Sequence, residues 1–286
     1  MSATKSIQRA TWGLFCNATN SIRRFILNSA SRVARNSITG FTFDSQPAIK
    51  RPSHDRETRS SIEGFMGNTM ILAPVRSNVD HWKQMQEKEY FETHPCYNGL
   101  RDFSGEVDIS FINWFTKPTP TMRVVVIGCG YGRETAHLAP QVGHVYGIDV
   151  SPLILGKAIR YLGEKGVSNF TPVLAERYKA EVPEGVDLVF SIVVMQHLTR
   201  ALVFDYFKSL GEKLSPNGIF VVQFLEDLEP SAANQDAELR VYEPSVTWTI
   251  AQLYNLSVQS GLKFKEVRTI QVTPTALWHW VCFSKT

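Results

Sequence analysis

Val124-Val-Val-Ile-Gly-Cys-Gly-Tyr-Gly-Arg-Glu-Thr-Ala-His-Leu-Ala139 reads as a buried strand, a glycine turn and the opening of a helix. Glycines suit such a turn because a side chain would keep the backbone away from a ligand. The free amides at the helix start favour a negative group nearby. A dinucleotide-binding turn spaces its glycines GxGxxG. Here the third glycine comes one residue early, at Gly132, and Arg133 stands where it would fall.

Outward from this turn the chain alternates short β-branched runs with longer helical patterns, the rhythm of a parallel sheet wrapped by helices. The runs predict strands over Arg123–Ile127, His144–Asp149, Phe170–Leu174, Val186–Ile192, Ile219–Phe224, Phe264–Gln271 and Leu277–Phe283. Val272-Thr-Pro-Thr-Ala276 is too short for a helical crossover, so the last two strands must be antiparallel to each other. The expectation is an α/β fold: a seven-stranded, mostly parallel sheet with an antiparallel terminal hairpin, helices on both faces and an N-terminal helical extension.

Asp149 ends the second strand, and Val150-Ser151-Pro152 follows, with Ser151 placed to cap a helix and Pro152 to open it. A carboxylate at a strand end beside a glycine turn can accept both hydroxyls of a ribose, although a solvated loop acid reads the same way in sequence. In strand order, motif order and spacing, residues 123–224 resemble the cofactor-binding half of class I S-adenosylmethionine (SAM)-dependent methyltransferases. The resemblance implies SAM as cofactor, with Gly128, Cys129, Gly130, Tyr131 and Gly132 along its methionine portion and Asp149, followed by Val150, at its ribose. It also implies an acid near the adenine, for which Glu176 is the candidate, a surface acid being the alternative. One departure stands out: family members commonly carry an acid two residues ahead of the first glycine, and this chain has Val126 there.

Asp187-Leu-Val-Phe-Ser-Ile-Val-Val-Met-Gln-His-Leu198 resembles the fourth-strand motif of the small-molecule branch of that family, so Ser191, Val193, Gln196 and His197 become site candidates. A histidine there would either help remove a proton from an acceptor or simply pack against its neighbours. Trp82, Tyr90, Phe91, His94 and Tyr242 are candidates to roof an acceptor pocket, Tyr242 also for a catalytic role; plain core packing is the other reading. The acidic stretch Glu226 to Arg240 would form a lid or a tether.

The chain divides into a basic amphipathic segment (1–43), a linker (44–77) punctuated by Pro47, Pro52, Gly64 and Gly67, and a methyltransferase domain (78–286) with cap helices in 78–118 and a core over 123–286. The formal net charge of +3 is unevenly spread. Lys5, Arg9, Arg23, Arg24, Arg32 and Arg35 meet no acid before Asp44, which leaves the remainder slightly acidic and speaks against a nucleic-acid partner. The basic segment would serve as a helix packed on its own domain or a second subunit, as a transit peptide to a mitochondrial or plastid matrix, or as a peripheral membrane contact. Otherwise a cytoplasmic protein is expected. Cys16, Cys96, Cys129 and Cys282 form no CxxC pair, and the seven His are scattered without ligand spacing, so no metal is expected. The acceptor that remains is a small molecule, methylated at oxygen or nitrogen without a metal. The alternative is a non-catalytic methyltransferase-like subunit that recruits a partner through its basic N-terminus.

Overall fold

The computed structural model describes residues 79–87, 105–228 and 246–285. The basic segment 1–43, the linker 44–77 and Tyr90, Phe91, His94 and Tyr242 lie outside the described residues. Helix α1 covers residues 79–87, and α2 (Gly105–Ser110) runs on into a 3-10 turn, Phe111–Trp114. The core then alternates β1 (Arg123–Ile127), α3 (Arg133–Leu138), β2 (His144–Asp149), α4 (Pro152–Glu164), β3 (Phe170–Leu174), α5 (Tyr178–Glu181), β4 (Val186–Ser191), α6 (Arg200–Lys213), β5 (Leu214–Asp227), α7 (Ile250–Ser260), β6 (Leu262–Thr273) and β7 (Ala276–Lys285).

The seven strands lie in the order β3-β2-β1-β4-β5-β7-β6. Strands β1 to β5 are parallel, and β7 runs antiparallel to both β5 and β6. The seven-stranded, mostly parallel sheet with its antiparallel terminal pair is the one expected; the expected N-terminal extension lies outside the described residues. Pro172 is tolerated because β3 is an edge strand, with one side free of ladder partners. The other edge, β6, exposes Lys263, Lys265, Glu266 and Arg268, charges that discourage pairing with another chain.

The alternation of β1 divides the interior into two cores. Val125 and Ile127 face Val189, Phe220, Val222 and Phe283 beneath α6 and α7, whereas Val124 and Val126 face Leu188, Phe190, Val221 and Trp280 beneath the Phe111–Trp114 turn. Trp280 is fully buried and stacks on Phe111 at 4.4 Å between ring centroids. Val126 is 3% exposed within this apolar layer, so the place of the usual family acid holds core packing instead.

The helices obey local signals. Ser151 accepts a hydrogen bond from the Ile154 amide, and Pro152 takes the first helical position of α4. Thr249 and Gln252 form a reciprocal capping box that starts α7. The second cap helix begins at Gly105, within the 78–118 expected for cap helices, and tightens into a 3-10 turn from Phe111. Its start is favoured by Glu106 and Asp108 in the first turn and by close packing: a Cβ on Gly105 would lie 2.5 Å from the Arg133 carbonyl oxygen. Strand β5 outruns the expected Ile219–Phe224 because β7 pairs with it from Ile219 through Asp227.

Trp280→Ala is expected to lower the unfolding free energy by about 3–5 kcal/mol, since it empties the layer between the sheet and Phe111. Urea unfolding followed by far-UV circular dichroism measures it.

Candidate cofactor and acceptor site

The strand order reverses at β1, where β2 lies on one side and β4 on the other, and a cleft opens at their carboxyl ends. It is lined by Gly128, Cys129, Gly130 and Tyr131 of the turn, by Asp149 and Val150 after β2, and by Ile192, Val193, Val194 and His197 after β4. Arg133, Glu134, Tyr206 and, from α1, Trp82 and Gln86 complete it. Trp82 and Gln86 are four residues apart and so share one helix face.

All three glycines of the turn have positive φ. Gly128 is the most constrained: at φ +68 its missing Cβ would lie 2.3 Å from a methyl of Val194. Gly132 caps α3 at φ 93 and does not line the cleft. Asp149, 8% exposed, accepts hydrogen bonds from the Gly130 amide (3.0 Å) and the Ser151 amide (3.2 Å). Burial pushes its carboxyl up to about 6, partly offset by those amides and that of Val150. Cys129 is buried, and desolvation, with Asp149 and Glu134 nearby, holds its thiol protonated.

The candidates from β4 separate. His197 lines the cleft with its ring edge-on to Trp82 at 4.7 Å, and burial, assisted by His81, pushes it down to about 4. It is therefore neutral at pH 7 and a weak proton acceptor. The Ser191 hydroxyl is spent inside the sheet, donating to the Ile127 carbonyl at 3.0 Å. Gln196 is buried outside the cleft, and its carbonyl accepts from the Val246 amide at 2.8 Å. Glu176 is exposed in a neighbouring hollow with Val79, Lys83, Tyr178 and Asp205, and it does not reach the main cleft.

Two features of the site escaped sequence reasoning. Arg133 is the only Lys or Arg lining the cleft among the described residues; its guanidinium pairs with Asp108 at 2.8 Å and with Glu134. The signal lay in the sequence, as the residue standing where a dinucleotide fold has glycine. The other is the conformation of the candidate Val193, a β-branched residue at φ 56 whose amide donates to Gln223 Oε1 at 2.8 Å. A β-branched side chain in that region costs on the order of 1–3 kcal/mol, and no sequence pattern reports it.

Such a cleft, with a glycine turn, a buried ribose-competent carboxylate and a mostly apolar wall, has the right donors and acceptors for an adenosyl cofactor. Residues 124–218 match a family model described as a methyltransferase domain. Residues 124–218 thus carry a methyltransferase domain, and the chain is a methyltransferase whose cofactor is SAM. Among curated relatives of this methyltransferase, N-terminal Xaa-Pro-Lys N-methyltransferase 1 of Xenopus tropicalis is 29% identical over 170 residues, 58% of this chain and 72% of the relative. Ubiquinone biosynthesis O-methyltransferase of Azorhizobium caulinodans is 30% identical over 110 residues, 38% of this chain and 42% of the relative. A SAM-dependent methyltransferase from Leishmania major shares the fold at TM-score 0.53 and 18% identity, over 73% of this chain and 82% of that one. Among the described residues, no group of three or more His, Cys, Asp or Glu is placed to hold a metal ion.

Asp108, Arg133 and Glu134 have side chains only 4%, 11% and 10% exposed, so removing the cation takes a shared countercharge from two buried carboxylates. Arg133→Met is expected to lower the unfolding free energy of the ligand-free protein by about 3–5 kcal/mol, measured by denaturant titration.

Proposed function

We propose that this methyltransferase transfers the SAM methyl group to an oxygen or nitrogen of a small, largely apolar molecule without the help of a metal. The observation that carries the reading is the wall at the acceptor end. Ile192, Val193 and Val194 line the cleft, and Val193 also packs against Leu225, Val272, Ala276 and Trp278. The carboxylates of the cleft are Asp149 and Glu134, and both are engaged, Asp149 by turn amides and Glu134 by Arg133. A cationic acceptor would therefore find no uncommitted countercharge in the described wall. That favours an acceptor of the kind named for the ubiquinone-pathway relatives over a peptide of the kind named for the Xaa-Pro-Lys relatives.

SAM supplies an activated methyl group on a sulfonium; the protein's part is to bind, orient and exclude water. Asp149 is the residue we assign to the ribose hydroxyls, with the turn of Gly128, Cys129, Gly130 and Tyr131 along the methionine portion. Arg133, paired with Asp108 and Glu134, is the cation of the described cleft lining that we assign to the methionine carboxylate. His197, neutral and packed on Trp82, orients the acceptor by contact or hydrogen bond rather than carrying a proton away.

The test is calorimetric titration with SAM and with S-adenosylhomocysteine, followed by methylation assays on phenols and on a synthetic Xaa-Pro-Lys peptide. Asp149→Ala is expected to weaken cofactor affinity at least tenfold. Methylation of the peptide but of no phenol would overturn the acceptor assignment.

The pH dependence carries two signs. In the ligand-free fold the raised Asp149 carboxyl binds its proton more tightly than in the unfolded chain. Its contribution to stability is therefore fully present below about pH 4 and is lost as pH rises through about 6. Ribose hydroxyls instead donate to the ionised form, so cofactor affinity should climb as pH passes about 6 and level off above 7. Titrations at pH 5 and 7 should differ by about tenfold, a difference absent in Asp149→Ala.

A further inference from the structure

Gln223 lies on β5, 1% exposed, in a layer of Phe190, Trp280 and other apolar side chains. The Val193 amide can only donate, so the amide oxygen of Gln223 must face it and Nε2 must point away. That Nε2 is buried and has no hydrogen-bond partner. The same is true of Trp280 Nε1, on the residue directly across the β5–β7 ladder, and of Trp278 Nε1, on the residue across from Leu225. Alternation puts Gln223, Leu225, Trp278 and Trp280 on one face of the sheet. The result is a run of donors without acceptors, embedded in apolar surface and joined to the cofactor cleft through Val193.

A leucine or methionine at position 223 would remove the stranded Nε2 but leave the Val193 amide without the acceptor it has in Gln223 Oε1. A buried donor and a left-handed valine thus meet at one point, where β4 ends and the cleft wall begins. Resting on the methyltransferase reading with a small apolar acceptor, we infer that Gln223 is a specificity-determining residue for that acceptor. It holds the Val193 peptide as the acceptor-side wall and, with Trp278, offers N–H donors to a hydrogen-bond-accepting oxygen on a flat apolar molecule. Gln223 and Trp278 are not part of the cleft lining, whereas Val193 is, so an acceptor oxygen takes up Nε2 by displacing the Val193 side chain while Oε1 keeps its bond to the Val193 amide. The predicted acceptor class is an aromatic ring that bears a carbonyl or carboxyl oxygen apart from the atom methylated.

The test uses the full chain saturated with S-adenosylhomocysteine and two phenols of similar size, 4-hydroxybenzaldehyde and 4-methylphenol, titrated calorimetrically to millimolar concentration. Wild type is expected to bind the aldehyde about tenfold more tightly, the factor one satisfied buried donor supplies. In Gln223→Met that preference should disappear while affinity for S-adenosylhomocysteine stays within about threefold of wild type. Equal affinity for the two phenols in wild type, or no binding of the aldehyde, overturns the inference without need of any variant. So does a preference that survives in Gln223→Met, or a loss of S-adenosylhomocysteine affinity there that matches the loss of aldehyde binding. Failure of wild type to bind S-adenosylhomocysteine would instead strike the cofactor-site reading, and is seen before any phenol is added.

Discussion

The Asp149 carboxylate accepts from the Gly130 amide on one side and the Ser151 amide on the other, so one buried side chain ties the turn after β1 to the turn after β2. Around that tie the cleft is organised. The glycine turn can follow its path only because Gly128, Gly130 and Gly132 accept positive φ, and it can pass beneath Val194 only because Gly128 has no side chain. The helix after each turn begins where the tie leaves it: α3 from Gly132, and α4 from Ser151 with its cap and its proline. Burying the carboxylate raises its affinity for a proton, which leaves a group poised to gain from a ligand that donates hydrogen bonds to it.

The second constraint is at the other side of β1. Strand β4 stops at Ser191, whose hydroxyl is used to bind β4 to β1, and the chain leaves the sheet through Val193 in a conformation that valine resists. It is held there from β5 by Gln223, and β5 is in turn held by the long antiparallel β7. The closing hairpin thus does more than finish the sheet: it brings Trp278 and Trp280 alongside Gln223 and extends the apolar wall past the cofactor cleft. The cofactor side and the acceptor side that we propose rest on different elements, the former on the first two crossovers and the latter on the junction of β4, β5 and β7.

Across these elements the two halves of the site were unequally legible. The turn at Gly128 to Gly132 and the acid at Asp149 could be read because their roles are local: a backbone conformation, a strand end, a cap, each with its residue type at fixed spacing. Ser191, Gln196 and Glu176 are candidates only through the family resemblance, and their side chains turn into the sheet, into the core and into a neighbouring hollow. Position along a motif places a residue near the cleft; the direction of its side chain depends on what packs around it. His197 shows the difference most sharply, since its place in the motif suggested a base, while burial against Trp82 and His81 leaves it neutral and weakly basic.

What the sequence by itself determined is the order of strands and helices, the antiparallel closure and the glycine turn, because each follows from periodicity, from the length of a connection or from the steric freedom of glycine; SAM as cofactor is what the resemblance to class I methyltransferases implies. Only the tertiary structure decided that Arg133 sits in a buried network with Asp108 and Glu134, that Trp82 packs on His197, and that Val193 is clasped by Gln223. Those contacts join residues far apart in the chain, and their energies depend on distance and burial, quantities that exist only once the sheet has brought its strand ends together.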